Sequence, residues 1–149
     1  MTLLYLKTRY MIKYLGSKRK LIDHIYRLVA QHSTGGAILD VFSGSSRVGY
    51  ALKSLNTPVI ANDINTYAYL AGLCYVKATP EDARLAKLVI DELNKVTGKA
   101  GWFTKTFCEE AWYLQPFNGE RVDAMRERIE EMSLEPTIKA VVLTSIIEA

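Results

Sequence analysis

At 149 residues, 49% of them apolar, the chain is long enough and greasy enough for one packed domain. A net charge of +3 is too small to identify a nucleic-acid binder, and no apolar run reaches the roughly 18 to 20 residues of a membrane span. Met1 to Leu6 is too short for a secretory core, so a soluble, cytoplasmic protein is expected. Lys7, Arg9, Lys13, Lys18, Arg19 and Lys20 all precede the first acid, Asp23. That opening segment carries a positive local field or is a solvated leader, and Met11 is an alternative start.

Leu21, Ile22, Ile25, Leu28 and Val29 recur at helical spacing, which predicts a helix over residues 18–31 ended by Gly35-Gly36. The apolar run 37–42 then reads as a buried parallel strand ending near Asp40. A Ser/Gly turn, Ser43 to Ser46, leads into a short helix over 48–55, and residues 58–63 read as a second strand closed by Asp63. Together they form a βαβ unit, with a right-handed crossover expected. Asn65 is expected to cap a helix over 66–77, and Thr79-Pro80-Glu81-Asp82 announces another, whose apolar face is Ala86, Val89, Ile90, Leu93 and Val96, ending near Gly98. The aromatic stretch from Gly101 to Gly119 has no clear period. Val122, Met125, Ile129 and Met132 predict an amphipathic helix, and the apolar run 138–147 fits a buried helix or a strand equally. Cys74 and Cys108, with no C-x-x-C pair and no histidine at ligand spacing, are expected as reduced core thiols, and no metal site is expected.

An acid ending one strand, a glycine-containing turn, a helix start and a second acid ending the next strand make a nucleotide half-site. The turn lets a ligand approach the backbone, and the second carboxylate accepts hydrogen bonds from ribose hydroxyls. A dinucleotide fingerprint requires G-x-G-x-x-G, whereas Gly44-Ser45-Ser46-Arg47-Val48-Gly49 has Ser46 at the middle glycine, which disfavours a nicotinamide oxidoreductase. S-adenosylmethionine carries no phosphates, and its charged sulfonium and amino group suit a turn with an acid just before it. No G-K-[ST] follows the turn, which excludes a P-loop. His24 and His32 are the only histidines and both fall on or just after one helix, so triad hydrolysis is not indicated.

Four blocks in order resemble the adenine-specific DNA methyltransferases related to Dam methylase. Lys13-Tyr14-Leu15-Gly16-Ser17-Lys18 is similar to their N-terminal cofactor motif, Asp40 to Gly49 to their D-x-F-x-G turn, and Asn62-Asp63-Ile64-Asn65 to their N-D-I-N strand end. The stretch from Phe103 to Ile129 is similar to a segment in one branch of the family. The resemblance implies an α/β fold, a three-layer Rossmann-like methyltransferase core, incomplete at its C-terminus, over residues 11–149. It implies S-adenosylmethionine as cofactor and double-stranded DNA as partner. Tyr14 and Lys18 would contact the cofactor, Asp40, Phe42, Gly44 and Ser46 would cradle its methionine part, Asp63 would hold the ribose, and Ile64 would lie against the adenine ring.

The family transfers its methyl group at an Asp-Pro-Pro-Tyr motif that grips an adenine flipped from the helix. Here Pro58, Pro80, Pro116 and Pro136 are each isolated, so the motif is absent and the chain alone is expected to be inactive. A noncatalytic remnant that binds cofactor or DNA is the alternative, and a missing C-terminal segment or self-association is the expected protein partner. Arg121 and Arg126 are candidate DNA contacts, although Glu127, Glu130 and Glu131 lower their field and a solvated charged face is the plainer account.

Overall fold

A computed structural model describes residues 18–149. The chain divides into two compact units, one running to Thr79 and resumed at Leu143–Ala149, the other Pro80–Val142.

In the first unit a 3-10 turn, Lys18–Leu21, leads into α1 (Ile22–His32). There follow β1 (Ile38–Asp40), α2 (Arg47–Leu52) closed by a 3-10 turn Lys53–Leu55, β2 (Val59–Ala61), and α3 (Thr66–Ala71), which continues as a π-helix over Gly72–Lys77. The two strands are parallel, with Ile38 opposite Val59, Leu39 opposite Ile60 and Asp40 opposite Ala61. The expected strand, helix and strand are therefore present, but each strand is only three residues long. Nor is β1 buried as expected: Leu39 is 57% exposed, and Ile60 beside it on β2 is 53% exposed. Single bonds continue the pairing just past the strand ends, since Asn62 N donates to Asp40 O and Ser43 N to Asn62 O, both at 2.9 Å.

The core of this unit is Ile22, Ala51, Leu52, Ala68, Ala71 and Leu143. Gly49 lets α2 approach the π-helix, because a Cβ there would lie 2.8 Å from Val76 Cγ2. Lys53 Nζ donates to Ala78 O at 3.1 Å, satisfying a carbonyl just past the π-helix end. Asn65 stands at the start of α3 in extended conformation but makes no capping bond; its side chain turns back to Asp63 Oδ1 at 3.4 Å, contrary to the expected cap.

The second unit holds α4 (Pro80–Leu93), a π-helical turn Thr104–Glu110, and α5 (Pro116–Glu131). α6 (Pro136–Glu148) carries the chain back into the first unit, so the ambiguous apolar run is a helix. α4 begins at the predicted proline but stops at Leu93, short of Gly98, as Lys95 N and Val96 N bond carbonyls three residues back and tighten the backbone out of α geometry. Ala86, Leu93, Cys108, Ala124, Ile129, Ala140 and Val142 are buried. Both cysteines are free thiols; Cys108 is buried but Cys74 only half-buried. Among the described residues no helix is long and apolar enough to cross a membrane.

Candidate nucleotide site

Asp40 ends β1, and its carboxylate is almost enclosed, with a side chain only 8% exposed. Lys18 Nζ lies 3.5 Å from Asp40 Oδ1 and donates to Phe42 O at 2.7 Å, so it ties the 3-10 turn before α1 to the strand end. The other carboxylate oxygen, Oδ2, is buried and accepts no hydrogen bond from the described residues. After it the chain turns through Gly44 at φ +50° and Ser46 at φ +56°, both left-handed. Gly44 adopts that conformation at little cost, whereas a serine there is strained. Ser46 is 0% exposed, and its Oγ also has no hydrogen-bond partner among the described residues.

Asp63 joins the second strand end to this turn. Its Oδ2 accepts the Gly44 amide at 2.8 Å and its Oδ1 the Asn65 amide at 3.1 Å. These amides, Asn65 first and Gly44 second, hold the Asp63 carboxyl below the usual carboxylate range. Asn62 reinforces the junction, with Nδ2 donating to Val41 O at 2.9 Å. A cleft of about 420 Å³ runs along β2 from Ser43 and Asp63 to Tyr69 and Gly72.

Of the predicted residues, Lys18, Asp40 and Phe42 are joined by one set of polar contacts and Gly44 and Asp63 by another, and Ser46 lies in the same turn as Gly44. Phe42 contributes its carbonyl there, while its ring is 78% exposed. Ile64 is 97% exposed and does not line the cleft. Tyr14 lies outside the described residues. In the second unit Arg121 Nη2 lies 3.5 Å from Asn94 O, and Arg126 pairs with Glu130 at 3.5 Å.

Sequence reasoning missed Arg47, which opens α2 and is buried. Burial pulls its pKa down, Arg19 adds to that, and Tyr75, Glu148 and Tyr67 oppose it. The Tyr75 hydroxyl donates to Glu148 Oε1, and burial together with that bond pushes the phenol pKa up. The signal was a cation at a helix start, where the backbone dipole disfavours it and some acid must compensate.

A strand-end acid, a left-handed turn and a second acid bonded to that turn thus lie together at the C-terminal ends of the two parallel strands. The chain belongs to the D12 class N6 adenine-specific DNA methyltransferase family, whose model matches residues 14–147. It is 30% identical over 128 residues to the type II methyltransferase M.NlaIII of Neisseria lactamica, covering 80% of this chain and 38% of that protein. It is likewise 30% identical over 130 residues to the type II methyltransferase M.CviAII of Paramecium bursaria Chlorella virus 1, covering 81% of this chain and 39% of that protein. With the modification methylase StsI of Streptococcus sanguinis it shares 27% identity over 134 residues, 80% of this chain and 20% of that protein. The chain thus spans about two fifths or less of the curated relatives it matches. No solved structure matches it.

Proposed function

We propose that residues 11–149 are the N-terminal part of the catalytic domain of an adenine-specific DNA methyltransferase serving restriction-modification. The reaction is transfer of a methyl group from S-adenosylmethionine to the exocyclic amine of adenine in double-stranded DNA. The observation that carries this reading is the bond from the Gly44 amide to Asp63, which sets the turn after β1 against the acid after β2. In this reading the parallel pair is the nucleus of a three-layer Rossmann-like core.

The residues present suit S-adenosylmethionine. Asp40 Oδ2 and Ser46 Oγ are buried polar atoms with hydrogen-bonding capacity to spare, next to a turn that holds a carboxylate. The cofactor supplies an electrophilic methyl group on a sulfonium. Asp40 and the turn from Phe42 to Ser46 would orient its methionine end, with Lys18 beside them, and Tyr14 is proposed as a further cofactor contact. Asp63, already ionised, accepts the ribose hydroxyls, and the exposed Ile64 is available to the adenine ring. Arg121 and Arg126 are proposed as phosphate contacts.

The test is a calorimetric titration of the chain with S-adenosylmethionine, beside Asp63→Ala. Binding that the substitution abolishes supports the reading; equal binding by both proteins overturns the site. Because Asp-Pro-Pro-Tyr is absent from the 149 residues, the purified chain is proposed not to methylate DNA. The same absence fits a noncatalytic binding remnant. Recovery of adenine methylation on supplying a segment that carries the motif distinguishes an enzyme part from a remnant.

A further inference from the structure

We infer that Trp112, with Tyr113 beside it, is a stacking platform that meets a DNA base, a role that rests on the methyltransferase reading above. Trp112 is held at φ +58°. A bulky residue in the left-handed region costs on the order of 1 to 3 kcal/mol and persists only where the surroundings impose it. Trp112 is nevertheless 86% exposed and Tyr113 79%. The strained backbone therefore presents a ring to solvent instead of packing it.

The support beneath is firm. Tyr113 N donates to Phe107 O at 2.9 Å, and Phe107 packs edge-on against Trp102 and at a tilt against Phe103. Asp123 fixes the start of that helical turn by accepting the amides of Gly101, Phe103 and Thr104 at 2.8 to 3.0 Å. A groove of about 540 Å³ opens between Cys108, Glu109, Trp112, Tyr113, Gln115 and Asn118.

The chemistry of this groove selects bases. Two flat rings offer stacking to any base, and the amides of Gln115 and Asn118 are the groups that pair with adenine edges. Glu109 in the groove and Glu110 next to it would repel phosphates, so the patch suits the heterocycle and not the backbone. An enzyme acting on an adenine amine must unstack that base, and an exposed ring can fill or cover the disturbed stack.

The experiment uses the 149-residue chain, whose only tryptophans are Trp102 and Trp112. Trp102→Phe leaves Trp112 as sole emitter, and Trp112→Phe leaves Trp102. Each is titrated with a short duplex containing one unpaired adenine, while anisotropy of the same duplex, end-labelled, reports binding separately. Binding with at least a twofold quench of Trp112 emission and a smaller change for Trp102 is expected. Trp112→Asn, which tolerates φ > 0, is expected to melt no lower than the parent yet bind the duplex roughly 5- to 100-fold more weakly. The salt dependence of binding should not change, because no phosphate contact is lost. Anisotropy rising without a change in Trp112 emission overturns the platform while leaving DNA binding intact. No rise in anisotropy defeats DNA binding by this chain, and the platform with it. A shift in Trp112 emission with protein concentration alone makes a second copy the occupant and also overturns the inference.

Discussion

The Asp63 carboxylate accepts the Gly44 amide at 2.8 Å, so the acid that closes β2 also shapes the turn that follows β1. Asp63→Ala removes a proposed ribose partner and frees the turn together, and S-adenosylmethionine affinity should fall by roughly tenfold or more. Asp63→Asn keeps one acceptor and should lose less. The Asn65 and Gly44 amides depress the folded pKa, so the tether is fully present above the unfolded value of about 3.9 and is lost as pH falls through the lower folded value. Calorimetric affinity should therefore show no Asp63-dependent change between pH 5 and pH 8; a loss centred near pH 6 in the parent that Asp63→Asn lacks would contradict this.

Ser46 combines a left-handed backbone with a buried hydroxyl that has no partner among the described residues. Ser46→Gly relieves both, and thermal denaturation should show a gain of about 1 kcal/mol. Ser46→Ala removes the hydroxyl but keeps the strain, so it should gain less. Both should weaken cofactor binding, since the hydroxyl is retained for the ligand. A stabilised Ser46→Gly with unchanged affinity would remove Ser46 from the site.

The turn geometry of the candidate site was legible because its residues are close in sequence and governed by local rules. Asp40 and Asp63 end strands, Gly44 turns, and their meeting follows from the parallel pairing of Asp40 with Ala61. The loss of α geometry at Gly72 and Thr104 was not legible, because π-helical turns have no period distinct enough to read in six or seven residues. Asn65 looked like a cap, but its amide competes for Asp63 and loses the helix end. Strand burial was overestimated at Leu39, since an apolar run does not reveal how many layers cover it. The aromatic stretch was opaque because its organiser, Asp123, lies some twenty residues downstream.

Asp123 accepts four hydrogen bonds, three from backbone amides and one from Thr104 Oγ1 at 2.7 Å. Burial pushes its pKa up, but the bonds from Thr104, Phe103 and Gly101 together outweigh that and hold it below the ordinary range. Its contribution is therefore complete above the unfolded pKa and disappears as pH falls through the folded one. Asp123→Ala should lower stability by about 2 kcal/mol in urea denaturation at pH 7, with a smaller loss for Asp123→Asn. As pH falls through the folded pKa the gap between the parent and Asp123→Ala should narrow; a gap that stays constant across the acid range would show that the charge is not the stabilising element.

Gly119, in the first turns of α5, sets how closely that helix lies against the turn that carries the aromatic rings. A Cβ at Gly119 would collide with Cys108 Sγ and come within 3.0 Å of Thr104 Cα. The sulfur sits on a side chain and has some room to rotate, whereas the Thr104 backbone is fixed by Asp123. Gly119→Ala should thus cost about 1 to 3 kcal/mol through overpacking, beyond the small gain alanine brings to a helix. Cys108→Ala in the same chain should recover only part of that loss, because the backbone contact remains. A double-mutant cycle by urea denaturation reads the partition: full recovery would assign the crowding to the thiol alone, and no recovery would assign it to the Thr104 backbone. Because α5 and Trp112 share this support, Gly119→Ala should also reduce the quenching of Trp112 by duplex DNA, whereas surface changes at Lys87 or Arg84, which pair with Asp91 and Glu81 on α4, should leave it unchanged.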